Sequence, residues 1–312
     1  MQLGQLGELR LIERIAQGLP GRPDVAVGAG DDCAVVSLSG AEDLVLTTDP
    51  VVEGVHFEAG TVGEDIGRKA LGRVLSDLAA MGSEPRWVLV DVVAPQATRL
   101  EVVDGIYRGL NDLARRFNVA VVGGDVARGS VLELHVFGVG AVPQGRAVLR
   151  SGGNVGDLVF VTGTLGGSLL GRHLQVEPRV QEGLFLRDWA SAMIDVSDGL
   201  VGDLRHLAEM SSVGVNLDLA QIPVSAAAEQ MAADGTSDIE HALYDGEDFE
   251  LLFTLPPERE NEFMANWAFD LPCSKVGVLT AEHGVRGGMP GETPRLIQRG
   301  GYTHFGVPEP SG

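Results

Sequence analysis

The residues of this chain best suited to chemistry are aspartates at the ends of apolar segments. They occur in GAGDDC (28–33), TTDP (47–50), LSDLAAMG (75–82), VVGGDVARG (121–129) and MIDVSDG (193–199). Several carboxylates in one cleft would repel each other unless cations neutralised them. Oxygen ligands, with hydroxyls from Thr47, Thr48 and Ser197 nearby, suit Mg²⁺ better than zinc or copper. The pattern predicts a magnesium site of the kind that phosphoryl transfer uses.

Each of these segments also has a plain structural interpretation. An aspartate beside glycine is commonly a turn former, and Asp198 could simply cap the helix that follows it. The turn GTLGGSLLG (163–171) could cradle phosphate or merely join a strand to a helix. In LYDGEDFELLF (243–253), Glu247 and Asp248 fit a substrate contact or an acidic turn, and His56 alone could be structural. Asp77 is the exception, because the middle of an apolar helix is a poor place for a turn residue.

Charge and composition exclude several classes of protein. The 312 residues include 44 acidic and 23 basic side chains, a net charge of −21, which argues against nucleic-acid or membrane-surface binding. Neither lysine, Lys69 or Lys275, follows a glycine, so there is no P-loop. Cys33 and Cys273 cannot build a disulfide framework and are expected to be packing residues in a reducing compartment. With no apolar stretch long enough to span a membrane, we expect a soluble, cytoplasmic protein.

Strands and helices alternate along the chain and predict a layered α/β (α+β) fold. In the first half, strands are predicted at 43–49, 86–93, 119–125 and 131–142, with helices at 66–82 and 100–117. A Gly- and Pro-rich seam at 143–157 follows, and it predicts two domains, 1–145 and 146–312. In the second half, we expect strands at 157–163, 193–196, 214–219, 249–255 and 275–279, a helical stretch at 168–174 and a helix at 200–210.

The order and spacing of these segments resemble one enzyme family. They are GAGDDCAVV, TTDPVVEGVHFE, RKALGRVLSDLAAMGSEP, VVGGDVARG, VLRSGG, VTGTLGGSLLG, AMIDVSDGLVGDLRHLA and LYDGEDFELLF. Together they resemble the thiamine-monophosphate kinases, relatives of aminoimidazole-ribotide synthetase, selenophosphate synthetase and a hydrogenase-maturation protein. Cys33 is followed by Ala34 and no earlier cysteine exists, which disfavours the selenophosphate relative. A non-catalytic metal- or nucleotide-binding module is the alternative from another class, and loss of a motif aspartate would be its mark.

The resemblance implies ATP- and Mg²⁺-dependent phosphorylation of thiamine monophosphate to thiamine diphosphate. It also implies the two-domain fold of aminoimidazole-ribotide synthetase, in which the N-terminal sheet pairs with its copy in a homodimer and forms sites at the interface. Because the acceptor is a phosphate oxygen that is already ionised, no strong general base is required, and we expect direct in-line transfer.

The resemblance also assigns residue roles, none of them as acid, base or nucleophile. The expected metal ligands are Asp32, Thr47, Thr48, Asp49, Asp77, Asp125, Asp195 and Asp198. The expected ATP contacts are Tyr107, Gly124, Asp125, Arg150 and Ser197, and the expected thiamine contacts are His56, Glu247 and Tyr302. The chain departs from the family pattern at Gly167, where Asp is common, and at Asp245, where Gly is usual; both are expected to affect loop shape.

Overall fold

The computed structural model describes residues 8–17, 23–38, 40–232 and 235–303. Within them the chain forms two mixed sheets with helices packed against and between them. No helix in these ranges is long and apolar enough to cross a membrane.

The N-terminal half contains the first sheet. Its elements are α1 (Glu8–Ala16), β1 (Val25–Val27), β2 (Ala34–Ser37), β3 (Glu42–Val52), α2 (Gly63–Ala80), β4 (Glu84–Ala94), α3 (Leu100–Arg116), β5 (Ala120–Gly123), β6 (Val126–Arg128) and β7 (Glu133–Pro143). The strand order is β1-β2-β3-β7-β4-β5, with β6 also paired to β4. The long central strands β3, β7 and β4 are antiparallel neighbours and form the middle of the sheet.

Helices α2 and α3 cross in close contact over one face of this sheet. A Cβ on Gly67 would lie 1.9 Å from the Ile106 carbonyl oxygen, and one on Gly109 would lie 1.9 Å from that of Glu64. Only glycine therefore allows this approach. The predicted helices at 66–82 and 100–117 are confirmed, with α2 starting three residues earlier.

The second sheet is built from the C-terminal half. Its elements are β8 (Leu158–Thr162), α4 (Val180–Leu186), β9 (Ala192–Asp195), α5 (Leu200–Met210), β10 (Gly214–Asp218), α6 (Ala226–Met231), α7 (Asp238–Tyr244), β11 (Leu251–Leu255), α8 (Glu260–Asn266), β12 (Cys273–Thr280), β13 (Gly284–Gly288) and β14 (Arg295–Leu296). The strand order is β14-β13-β10-β12-β8-β11-β9.

One hydrophobic cluster spans both halves even though their sheets are separate, and a second cluster lies within the C-terminal half. Helix α2 packs on the first sheet and also contacts α4 and β9 of the second half. The same buried cluster contains Leu71 of α2, Leu186 of α4 and Met193 of β9. The first sheet ends at Pro143 and the second begins at Leu158, so the predicted boundary at 145/146 lies in the connection between sheets, and it stays a prediction.

Some of the predicted elements differ from the structure. The strand predicted at 119–125 spans only Ala120–Gly123, and β6 follows it as a separate strand. Strand β3 does not end at Asp49 but continues to Val52. Pro50 is tolerated there because β2 pairs with β3 only as far as Leu46, leaving β3 bonded to β7 alone. The helical stretch expected at 168–174 is instead two 3₁₀ turns separated by Gly171, whose φ is +118°.

Candidate active site

One stripe of helix α2 carries polar side chains into the interior. Lys69, Arg73, Ser76 and Asp77 follow the i, i+4, i+7, i+8 spacing that aligns side chains on one helix face. Lys69 and Ser76 are fully buried. Because α2 lies between the two halves, this stripe meets residues from both.

Three aspartates from distant parts of the chain meet at the C-terminal end of the stripe. Carboxylate oxygens of Asp32, Asp77 and Asp195 lie within 4.8 Å of one another. The Thr47 hydroxyl donates to Asp77 at 2.6 Å, and the Ser76 hydroxyl donates to Asp195 at 2.6 Å. Each carboxylate is thus oriented by a neighbour rather than free to turn into solvent.

The surroundings of this cluster disfavour three negative charges. Burial raises the pKa of Asp77 well above its usual value, and the charge of Asp195 adds to the effect. Burial, followed by the charge of Asp32, raises the pKa of Asp195 to about 7. A divalent cation would remove this repulsion, and the all-oxygen donor set fits a hard cation.

Arg150 neutralises part of the charge at the edge of the cluster. Its guanidinium donates to both carboxylate oxygens of Asp32, from Nε at 3.1 Å and Nη2 at 3.0 Å. Its backbone N–H donates to Asp31 at 3.1 Å. Burial, with a smaller contribution from the charge of Asp32, raises the pKa of Asp31 to about 6.

A second cluster of charged side chains surrounds Glu247, nearer the N-terminal end of the polar stripe on α2. Lys69 Nζ donates to Glu247 at 2.7 Å, Arg73 Nη1 at 3.0 Å, and His173 Nδ1 lies 3.2 Å away. Burial alone would raise the pKa of Glu247, but the hydrogen bonds of His173 and Lys69 and the charges of Lys69 and Arg73 lower it to about 2. Arg73 also binds both carboxylate oxygens of Asp49, at 2.7 and 2.9 Å.

Two cavities open beside these groups and share a wall. The first, about 250 Å³, is lined by Val55, His56, Arg73, Leu169, Ser197, Asp198, Asp245, Glu247 and Tyr302. The second, about 420 Å³, is lined by Ile12, Glu13, Gly30, Asp31, Arg150, Ser197, Asp198, Asp203, His206, Glu209, Met210, Tyr302 and Thr303. Ser197, Asp198 and Tyr302 line both cavities, and the Tyr302 N–H donates to the Asp198 carbonyl at 2.9 Å.

The loop carrying Ser197 and Asp198 is held by a buried carboxylate. Asp203 of α5 accepts hydrogen bonds from the backbone N–H groups of Ser197 and Asp198, both at 3.0 Å. The N-cap of α5 is Gly199, so the interpretation of Asp198 as that cap is wrong.

Three of the expected ATP and metal residues lie elsewhere in this chain. Tyr107, Gly124 and Asp125 line a separate surface cavity beside β5. Asp49 is in register with Val136, which pairs with Val90, and Gly124 packs against Val90. Three interstrand spacings separate Asp49 from this edge, about 14 Å. Asp125 therefore cannot share a cation with Asp49 of the same chain.

The Thr48 side chain lies on the opposite face of β3 from those of Thr47 and Asp49. Thr47 and Asp49 contact α2, so the intervening Thr48 side chain points to the opposite, exposed face of the sheet. There it pairs in register with Phe137.

The two departures from the family pattern contact one another. The Gly167 N–H donates to the Asp245 carboxylate at 3.0 Å, with Gly167 at a φ of +71°. Asp245 also lies 3.0 Å from His241 Nδ1. An aspartate from one loop thus binds the backbone of the other, and Asp245 lines the first cavity.

Lys69, Arg73, His173 and Asp203 are site residues that the sequence reasoning missed. For the first two a signal existed, because polar residues at 69, 73, 76 and 77 repeat at helical spacing within an apolar helix. His173 and Asp203 carry no comparable pattern. Their partners, Glu247 and the backbone of residues 197–198, meet them only in the folded chain.

Known proteins resemble this chain over nearly its full length. The family model of the AIR synthase related protein N-terminal domain matches residues 30–142, and that of the C-terminal domain matches residues 161–289. The thiamine-monophosphate kinase of Rhodopirellula baltica is 39% identical, with 84% of this chain and 86% of that protein covered. That of Escherichia coli K12 is 35% identical, with 97% and 99% covered. A solved structure of AaThiL complexed with AMPPCP and TMP matches with a TM-score of 0.86 and 33% identity, covering 97% of this chain and 99% of that one.

Proposed function

This chain belongs to the thiamine-monophosphate kinase family, and from that membership we propose that it transfers the γ-phosphoryl group of ATP to thiamine monophosphate. The product is thiamine diphosphate. AaThiL, which matches over nearly the whole chain, was solved in complex with AMPPCP and TMP.

The observation that carries this proposal is the shared wall between two cavities. A bisubstrate transfer needs donor and acceptor in adjacent pockets with their reacting groups at the junction. Ser197 and Asp198 form that junction, and they follow Asp195 of the carboxylate cluster in the same segment. We assign ATP to the cavity with Arg150 and Ser197, and thiamine monophosphate to the cavity with His56, Glu247 and Tyr302.

Magnesium is the cation that we assign to the carboxylate cluster. Asp32, Asp77 and Asp195 would hold it, and the charge of Asp49 also acts on Asp77. Bound Mg²⁺ would neutralise the charge of the transferring phosphoryl group.

The protein residues then act by binding and orientation. Glu247 and Tyr302 hold the thiamine rings, and Arg150 and Ser197 hold the nucleotide. No residue needs to remove a proton, because a phosphate monoester is largely dianionic at neutral pH. The terminal oxygen of thiamine monophosphate attacks the γ-phosphorus directly as ADP leaves.

We also propose that two copies pair through the open face of the first sheet. Apolar side chains cover this face, including Trp87 at 41%, Leu89 at 40% and Val122 at 59% exposure, with Phe137 beside them. Such a patch is typical of a protein interface. Tyr107, Gly124 and Asp125 lie too far from the carboxylate cluster of their own chain to serve it. Pairing would let them serve the site of the partner instead. We place the enzyme in the cytoplasm, where its two free cysteines stay reduced.

The direct test is to incubate the protein with ATP and Mg²⁺ and either thiamine monophosphate or thiamine. We expect ADP and thiamine diphosphate in equal amounts from the monophosphate, and at most slow reaction with thiamine. Absence of turnover with ligand binding intact would favour the non-catalytic module. With labelled ATP and no acceptor, we expect no phosphorylated protein; a trapped phosphoenzyme would contradict direct transfer.

Replacing Tyr302 by alanine is expected to weaken binding of the thiamine ester. An aromatic face attracts the thiazolium cation by roughly 0.5–2 kcal/mol, so the KM for thiamine monophosphate should rise about 2- to 30-fold. Tyr302→Phe keeps the ring and should stay near the wild type. Steady-state kinetics with each substrate varied check this. A parallel rise in the KM for ATP with a lower Tm would instead show that Tyr302 is a packing residue.

A further inference from the structure

The first cavity is lined by more negative than positive side chains. Asp198, Asp245 and Glu247 line it, whereas Arg73 is the only lysine or arginine among its described lining residues. A phosphate ester entering this cavity would meet net repulsion unless a protein cation contacted it. Among these lining residues, Arg73 is therefore the side chain whose charge can attract a phosphate ester.

Lys69, the other nearby cation, is not available to a ligand. It is fully buried, and its Nζ donates to the His56 carbonyl oxygen at 2.6 Å and to Glu247 at 2.7 Å, with His173 Nδ1 filling the third side at 2.8 Å. Lys69 therefore holds the Glu247 carboxylate from behind and does not line the cavity.

Arg73 has donors to spare. Its bonds to Asp49 and Glu247 use three of the five N–H groups of a guanidinium. The same bonds, and the Phe249 ring 5.7 Å from the guanidinium carbon, hold it in place before any ligand arrives. A planar, pre-oriented guanidinium is the side chain best suited to a phosphate.

Helix α2 also places Arg73 between the two ends of the substrate path. Lys69, Arg73 and Asp77 are four residues apart, so each step along the helix is about 6 Å. Lys69 marks the end where Glu247 lies, and Asp77 belongs to the carboxylate cluster. This is the order of rings, ester phosphate and metal that a thiamine ester would take.

We propose that Arg73 binds the phosphate group of the acceptor substrate and thereby selects the phosphate ester over the free alcohol. The proposal rests on the function proposed above, since it specifies how that same cavity recognises its acceptor. It makes Arg73 a substrate-binding residue and not merely a tether between Asp49 and Glu247.

The experiment compares the affinities of thiamine monophosphate and thiamine for the full-length protein by titration calorimetry, without ATP, both with and without Mg²⁺. The two ligands share both rings and differ in the phosphate. We expect Arg73→Gln to weaken the monophosphate about 10- to 100-fold, the loss of one charge-assisted contact, and to leave thiamine within about 2-fold. Arg73→Lys, which keeps the charge but not the planar fork, should fall between. Arg115→Gln, at an exposed ion pair on α3, is the control and should change neither affinity.

Equal weakening of both ligands by Arg73→Gln would show that Arg73 only tethers Asp49 and Glu247, and unchanged affinities would show that it does not contact the phosphate. Either result overturns this inference while leaving wild-type turnover intact. Failure of the wild-type protein to bind or phosphorylate thiamine monophosphate would overturn the proposed function itself. If circular dichroism and Tm show that Arg73→Gln does not fold, Arg73→Lys decides. A ratio of the affinities for thiamine monophosphate and thiamine that is unchanged from the wild type then contradicts the proposal.

Discussion

Asp195→Asn is expected to lower kcat by about 10²- to 10⁴-fold while the fold persists. The substitution keeps the shape of the side chain, and the amide oxygen can still accept from Ser76, which donates to Asp195 at 2.6 Å. It removes one of the three carboxylates that would hold the cation. The stabilisation that Mg²⁺ gives to the wild type, read as a rise in Tm with added metal, should largely disappear.

The metal-free Asp195→Asn protein should be at least as stable as the wild type. The pKa of Asp195 is raised to about 7, chiefly by burial, so the folded state favours its proton more than the unfolded state does. Wild-type stability without metal should therefore fall as pH rises from about 4 toward 7, and this contribution should be absent from the variant. Asp157→Asn is the matched control, a buried carboxylate outside the site that accepts from Ser191 at 2.6 Å. It should lose stability and keep kcat. Near-normal turnover of Asp195→Asn at saturating Mg²⁺ would contradict the metal assignment.

Long elements of this fold could be predicted because their patterns are strong. The helix predicted at 200–210 is found as α5 (Leu200–Met210), and α3 differs from its prediction by one residue. Five helices were missed: α1, of nine residues, and α4, α6, α7 and α8, whose six or seven residues carry little periodicity. Helix α7 is different, because Ser237 and Glu240 form a capping box that is visible in the sequence.

The candidate site was predictable to the extent that its residues sit in motifs. Asp32, Asp77 and Asp195 were expected together, and the structure brings them within one cluster. Lys69 was not expected, because a lysine among apolar helix positions is ordinarily at the surface, and only the partners that the fold supplies make its burial tolerable. Pairings such as Lys69 with Glu247 depend on tertiary contacts between residues 178 positions apart, which no local pattern encodes.

Combining two inactive variants in one heterodimer is expected to restore activity if each site contains residues of both chains. Asp125 lies about 14 Å of sheet away from Asp49 in its own chain, so its proposed role as a metal ligand requires the partner's site. Asp125→Asn and Asp195→Asn homodimers should both be nearly inactive. In a heterodimer of the two, one site combines an intact Asp32–Asp77–Asp195 cluster with an intact Asp125 from the other chain.

Such a heterodimer, isolated by co-expression with two different affinity tags, should show about half of the wild-type activity, because one of its two symmetry-related sites is whole. A heterodimer of Asp77→Asn with Asp195→Asn is the matched control. Both changes fall in the same cluster, so every site in it is defective and it should stay inactive. No activity in the Asp125–Asp195 heterodimer would contradict the cross-subunit role of Asp125, and a fully active Asp125→Asn homodimer would remove Asp125 from the metal ligands. Restored activity would also locate the dimer interface, because only pairing that brings the β5 edge of one copy beside the carboxylate cluster of the other can complete the site.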